Sequence, residues 1–260
     1  MNSKPRIGLF VTCLVDLYRP NVGFASIALL EDAGCDVVVP ESQTCCGQPA
    51  YNSGDQSSTQ KIAKATIRAF EDFDYVVAPS GSCAGMLKHH YPDLFKDDHI
   101  WFDKATELAK RVHELTTFLV DVLQVSLPVQ PFSASVTYHD SCSGLRELGI
   151  KKQPRALLEN IAKVSVNEME DTEVCCGFGG TFCVKFPDIS KRMVTDKAAL
   201  AQQSGARVLT GGDLGCLLNI SGRIDRLDIP MKVYHVAEIL SGMADVPAIG
   251  APDSSNQNES

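Results

Sequence analysis

Residues 44–54, Thr-Cys-Cys-Gly-Gln-Pro-Ala-Tyr-Asn-Ser-Gly, hold the adjacent pair Cys45-Cys46, and the Cys-Cys-Gly triplet returns at 175–177 within Cys-Cys-Gly-Phe-Gly-Gly-Thr-Phe (175–182). Working outward from each pair gives the same order twice. Thirty-one residues separate Cys13 from the first pair, and thirty-six separate that pair from Cys83. In the second half thirty-two residues separate Cys142 from Cys175-Cys176, and thirty-nine separate the pair from Cys216. A self-similar order of this kind is the first thing to settle in a sequence, because it fixes the unit that folds.

The segments between the cysteines repeat as well. Arg6 to Thr12 and Ser135 to His139 read as strands that run toward Cys13 and Cys142. Gly23 to Ala33 has a helical pattern and Asp36 to Val39 a strand pattern; Pro154 to Ile161 and Lys163 to Val166 match them, with proline in the helix's first turn. Beyond each pair come a helix (Thr59 to Phe70, Asp188 to Gln203) and a strand (Tyr75 to Ala78, Arg207 to Thr210). Each half thus reads strand, helix, strand, helix, strand. Such alternation implies right-handed crossovers and a parallel sheet covered by helices.

The expected fold is α/β, with two pseudo-repeated Rossmann-like halves, each a small parallel sheet flanked by helices, and the cysteines at the carboxyl ends of the strands, where open sheets hold their ligands. The halves are placed at 1–125 and 126–243. Trp101 to Leu123 is read as a helix linking them, and 244–260 as a disordered C-terminal tail.

Composition narrows the chemistry. With 260 residues, 44% hydrophobic and 22% charged, the chain is an ordinary globular protein, and no run reaches the roughly 18 apolar residues of a membrane span. Its net charge of -8, with no basic tract, argues against nucleic-acid binding. Lys4 and Arg6 before the apolar stretch 7–15 imitate a signal peptide, but Gly8 and Thr12 interrupt it and no small-residue cleavage site follows. A cytoplasmic location is expected. Ten cysteines are too few for a secreted disulfide scaffold of this length and point instead to metal or thiol chemistry.

A set of four thiolates suits zinc or an iron-sulfur cluster and excludes magnesium and calcium. Structural zinc sites gather ligands in short C-x2-C knuckles, and neither half has one, since Met86 and Asn219 stand three residues after Cys83 and Cys216. The balance leans to a cluster, [4Fe-4S] in type and assigned first to the second half, with zinc kept open in the first. Glycines 47, 81, 177, 179, 180, 211, 212 and 215 crowd the cysteines, as turns or as openings for peptide N–H groups to reach sulfur. Gly177-Phe-Gly-Gly180 lacks the ending of a phosphate loop. Cys35 and Cys183 fall outside the repeat and are read as packed thiols. His139 is read by default as the polar end of a strand, with ligand or proton donor as alternatives, and Lys185, Lys191 and Arg192 as a solvated helix face.

The motifs Phe-Val-Thr-Cys-Leu-Val-Asp (10–16), Cys-Cys-Gly-Gln-Pro-Ala-Tyr-Asn-Ser-Gly (45–54), Pro-Ser-Gly-Ser-Cys (79–83), 175–182 and Gly-Cys-Leu-Leu-Asn-Ile (215–220) together resemble the lactate utilization protein A family. That family lies in the wider CCG-domain group, similar to the CCG-bearing component of heterodisulfide reductase and to the iron-sulfur subunits of glycolate oxidase and anaerobic glycerol-3-phosphate dehydrogenase. The resemblance implies an electron-transfer subunit that works with lactate utilization proteins B and C in oxidising L-lactate to pyruvate. It carries ligand roles to Cys13, Cys45, Cys46, Cys83, Cys142, Cys175, Cys176 and Cys216. Met86 and Asn219 replace the extra cysteine of the heterodisulfide reductase members, which puts a noncubane cluster and disulfide chemistry in doubt. Cys183 stands where the family usually has serine. Two alternatives remain: a zinc-binding structural scaffold and a thiol-disulfide reductase of the heterodisulfide reductase type.

Overall fold

The computed structural model describes residues 4–125, 130, 132–161 and 163–251. Eight strands, β1 (Arg6–Leu9), β2 (Asp36–Val38), β3 (Tyr75–Ala78), β4 (Val112–Glu114), β5 (Ala134–His139), β6 (Val164–Val166), β7 (Val208–Gly211) and β8 (Lys232–His235), form two four-stranded sheets. Their orders are β2-β1-β3-β4 and β6-β5-β7-β8, and every pairing is parallel. The expected α/β fold with two matched halves is what the chain adopts.

In each sheet the connections from the two central strands leave in opposite directions. Between β1 and β3, and between β5 and β7, this opens the crevice at the strands' carboxyl ends where such sheets bind ligands. The central strands are short and apolar because both faces are covered: Ile7, Leu9, Val76, Val77, Leu209 and Val136 are fully or almost fully buried. Gly8 has no side chain because Phe70 and Phe73 occupy its face; a Cβ there would lie 2.7 Å from the Phe70 ring.

Three expectations require correction. The stretch 101–123 is not one helix: His99–Arg111 is helical, but Val112–Glu114 is a strand that pairs with β3, and helical turns resume at Leu115. Each half therefore has four strands rather than three, with β8 matching β4. The segment 244–251, assigned to a disordered tail, is packed, since Ile249 is 5% exposed and its N–H donates to the Val233 carbonyl. Residues 252–260 of that tail lie outside the described residues, as do 126–129, where the second half was expected to begin.

The halves exchange helices. After β8 the helix Val236–Ser241 packs against Pro20–Asp32 of the first half, and after β4 the turns from Leu115 pack against Lys152–Glu159 of the second. One apolar core consequently runs through both halves, from Leu29 and Leu30 to Ile239 and Leu240. A polar clamp closes the first exchange: Glu238, with its side chain fully buried, accepts from Arg19 Nε and Asn21 Nδ2, each at 2.8 Å.

At the centre the helices Gly81–Gly85 and Cys142–Leu148 touch backbone to backbone. A Cβ on Gly81 would sit 2.8 Å from the Gly144 Cα, an atom that no rotamer change can move. Gly81→Ala is expected to cost about 1–3 kcal/mol by overpacking, read as a lower urea midpoint. An unchanged midpoint would refute the close approach.

Candidate metal centres

Each cysteine owes its place to a strand end. Cys13 opens the helix Cys13–Tyr18 after β1, and the Thr12 hydroxyl caps that helix by accepting from the Val15 N–H at 3.3 Å. Thr12 holds φ at 69°, an unusual value for a β-branched residue and a form of strain that gathers at functional sites. Cys45 and Cys46 lie on the loop after β2, which turns at Gly47 with φ 86°. Cys83 lies in the helix after β3, where Ser80 Oγ accepts its N–H.

The four thiols meet. Cys13 Sγ is 3.7 Å from Cys45 Sγ, and Cys46 contacts both Cys45 and Cys83 through its sulfur. The Gly47 N–H points at Cys45 Sγ from 3.4 Å, and the Tyr91 hydroxyl fixes the loop by donating to the Cys46 carbonyl at 2.9 Å. Hydrogen bonds from the Cys13 and Cys46 thiols pull Cys45 well below the usual thiol range. The same bonds, with burial, push Cys13 and Cys46 well above it. Thiols crowded this closely resist ionising together unless a cation offsets their charge.

The second set repeats the plan. Cys142 opens the helix after β5, capped by Ser141 Oγ accepting from the Gly144 N–H at 3.3 Å. Its thiol contacts Cys175, and that bond together with burial raises it far above its ordinary range. Cys176 contacts Cys175 and Cys216. The Gly177 N–H reaches Cys175 Sγ at 3.3 Å; a Cβ on Gly177, whose φ is 82°, would meet the Ser190 carbonyl oxygen at 2.9 Å. Asn219, three residues past Cys216, donates from Nδ2 to the Cys176 carbonyl at 2.9 Å, so this position supports the loop.

All eight singled-out cysteines therefore lie in two groups of four, and within each group the sulfurs are near one another. Cys35 is buried in the core, as expected of a packed thiol, and the Cys183 thiol donates to the Gly180 carbonyl at 3.4 Å. Lys185, Lys191 and Arg192 are exposed. His139 does end β5, as its default reading has it, and its ring is buried beside Cys176 and Cys216.

The first-half thiols open into a cavity of about 230 Å³ whose far wall comes from the second half, from Phe178, Gly180, Thr181 and Val184 and from Asp213–Gly215. Surface hollows of about 690 and 700 Å³, beside Ile249 and beside Arg155, are larger but hold no cysteine. Between the two sets lies a buried polar seam that the sequence reading missed. Asp213 accepts from the Ser82 N–H at 2.8 Å and from Ser82 Oγ at 3.2 Å. Glu114 caps the turn after β4 by accepting from the N–H groups of Thr116 and Thr117.

Burial lifts Glu114 from 4.5 to about 7, against the pull of its hydrogen bonds from Thr116 and Thr117. The folded chain then holds this proton more tightly than the unfolded chain, so the contribution is whole below about pH 4.5 and is lost as pH rises through 7. Relative to Glu114→Gln, the wild type is expected to lose on the order of 3 kcal/mol across that window. Urea midpoints of both proteins at pH 4.5 and 8 check this, and a constant difference would refute it.

The comparisons with known proteins agree with this geometry. The cysteine-rich CCG domain family matches residues 7–88 and 136–221, one match per half. Lactate utilization protein A of Bacillus cytotoxicus and that of Bacillus pumilus are each 48% identical over 236 residues, 91% of this chain, and the match covers 98% and 99% of their lengths. A crystal structure of a hypothetical protein from Helicobacter pylori has the same fold, with a TM-score of 0.67 at 10% identity; the match covers 98% of this chain but only about half (51%) of that one. With both halves matched and the curated relatives aligned almost end to end, the chain belongs to the lactate utilization protein A family and carries two cysteine-rich CCG domains.

Proposed function

We propose that this chain is a cytoplasmic iron-sulfur electron-transfer subunit of a multi-subunit complex that oxidises L-lactate to pyruvate. The observation that carries the reading is the gathering of two sets of four thiols, each drawn from the ends of three parallel strands. The relatives' name points to lactate as the process served. Companion proteins resembling lactate utilization proteins B and C are the expected partners, and the lactate-oxidising step is assigned to one of them. Among the described residues no helix is long and apolar enough to cross a membrane.

The donor set fits a soft metal cluster, and an iron-sulfur cluster would supply one-electron chemistry there. Cys13, Cys45, Cys46 and Cys83 would hold the first, and Cys142, Cys175, Cys176 and Cys216 the second. The chain's own residues prepare each site. Gly47 and Gly177 aim peptide N–H groups at sulfur, and half-buried and buried thiols keep water to one side. Ser82, next to Cys83, donates to Asp213, three residues before Cys216, and so provides a short bonded path between the two sets.

Lys197 adds charge to the second site. Its side chain is fully buried, and Nζ donates to the carbonyls of Asp171 at 2.7 Å and Thr172 at 3.3 Å, with no carboxylate in contact among the described residues. Thr66 takes the matching place in the first half, seven residues beyond Thr59 as Lys197 is seven beyond Ser190. Burial draws Lys197 below the usual lysine range while the nearby Cys176 and Cys175 thiols pull it back up, and an ammonium held there favours an anionic centre and its further reduction. Lys197→Thr is expected to lower the second centre's reduction potential with iron content retained; an unmoved potential in redox titration would refute this role.

The reading itself is tested by anaerobic purification with iron, sulfide and zinc analysis. Brown protein that contains iron with matching acid-labile sulfide and bleaches with dithionite supports it. Zinc without iron would transfer the case to a structural scaffold. Alkylation-sensitive turnover of a small disulfide by colourless protein would transfer it to thiol chemistry.

A further inference from the structure

His139 ends β5 three residues before Cys142, and its ring is 1% exposed. Neither Nδ1 nor Nε2 has a hydrogen-bond partner. Yet a ring nitrogen, Cys176 Sγ and Cys216 Sγ all lie within 4.8 Å of one another. Buried polar atoms are nearly always paired, so an imidazole with both nitrogens bare, facing two thiols, calls for a partner in the space they share.

The first half shows that packing does not require this ring. Phe10 stands three residues before Cys13, as His139 does before Cys142, and it is fully buried against Phe70 at 5.7 Å between ring centroids. A phenyl ring therefore fills the matching place in the sheet. The second half puts there a ring of similar breadth with two nitrogens. Neutral imidazole is a common ligand for zinc and iron and combines readily with thiolate.

We propose that His139 is a metal ligand of the second centre, binding on the side where its ring faces Cys176 and Cys216. The second centre is then held by mixed imidazole and thiolate donors, the first by thiolates alone. A neutral imidazole brings no negative charge to the iron it binds, and centres that carry it lie at higher potential than all-thiolate ones, as imidazole-ligated [2Fe-2S] centres do. The two halves would thus be unequal by construction, with the second the better electron acceptor. The proposal rests on the reading that the second set of thiols holds metal.

The test uses the full-length chain purified anaerobically and reconstituted with ferrous iron and sulfide, and in parallel with zinc alone. X-ray absorption at the metal edge reads imidazole by its multiple-scattering pattern. Pulsed EPR of the reduced iron form, with and without 15N-histidine, reads a directly bonded nitrogen by its strong hyperfine coupling. Among the described residues no other histidine lies within ligand reach of two cysteines, so the unsubstituted protein alone gives an answer. His139→Phe, the ring the first half already uses, should keep the first centre and lose both signatures. Metal-loaded wild type without either signature would overturn the proposal while leaving the iron-sulfur reading intact, and so would signatures that persist in His139→Phe. A chain that takes up neither iron nor zinc would end both.

Discussion

Cys175→Ser is expected to strip roughly half or more of the iron from anaerobically purified protein, because a serine oxygen is a harder donor that a soft metal site accepts poorly. Cys175 is central to its set: it contacts the thiols of Cys142 and Cys176 and receives the Gly177 N–H at 3.3 Å. Cys45 holds the same position in the first half, with Cys13 Sγ 3.7 Å away and Cys46 beside it. Removing either should empty its own site and spare the other, since each set is built on a separate sheet. The second site also has the imidazole of His139 and the buried charge of Lys197, where the first has Phe10 and Thr66. With an added donor and a buried cation the second site is expected to hold the larger share of the iron, so iron loss should be larger for Cys175→Ser than for Cys45→Ser. Iron analysis of the two variants beside wild type decides it; equal losses would refute the asymmetry, and retained iron in both would remove these residues from the ligand set.

What could be read in the sequence was what is periodic. The Cys-Cys-Gly triplets, their single cysteines and the strands leading into them repeat at nearly constant spacing, and a parallel sheet turns that spacing into a common edge. The eight thiols were found for this reason. β4 was missed because Val112-His-Glu follows His99–Arg111 without a glycine or proline to mark the boundary, and three residues are too few for an alternation to show. The exchange of helices was invisible because Val236–Ser241 and Pro20–Asp32 are far apart in sequence and neither carries a pattern that names the other as its partner. Asp213, Lys197 and His139 carry polar groups that could equally well sit in water; only the fold shows that they do not. A comparison of the halves could have found two of them, since Phe10 against His139 and Thr66 against Lys197 are departures from an otherwise matched plan.

The largest expected effect on stability falls beside the second set. Asp140, two residues before Cys142, has a fully buried carboxylate held in a two-pronged grip by Arg155 at 2.9 and 3.0 Å. Arg155, itself 14% exposed, also binds Glu168 at 2.5 and 3.0 Å and lies over the Tyr138 ring at 5.1 Å. Glu168 remains in water if Arg155 is lost, but Asp140 does not. Removing one partner of a buried pair leaves an uncompensated charge and costs about 3–5 kcal/mol, far more than losing an exposed pair such as Lys104 with Glu71. Arg155→Met keeps an apolar stem but removes both the charge and the guanidinium that lies over Tyr138, so a second substitution is needed to isolate the charge term. For a chain of this size the melting midpoint should fall by roughly 6–20 °C. Adding Asp140→Asn takes away the stranded charge and should restore much of the loss, although neither change alone is benign. A double variant no more stable than Arg155→Met would show that the guanidinium acts through packing and Glu168, and that the charge on Asp140 is not what Arg155 is there to meet.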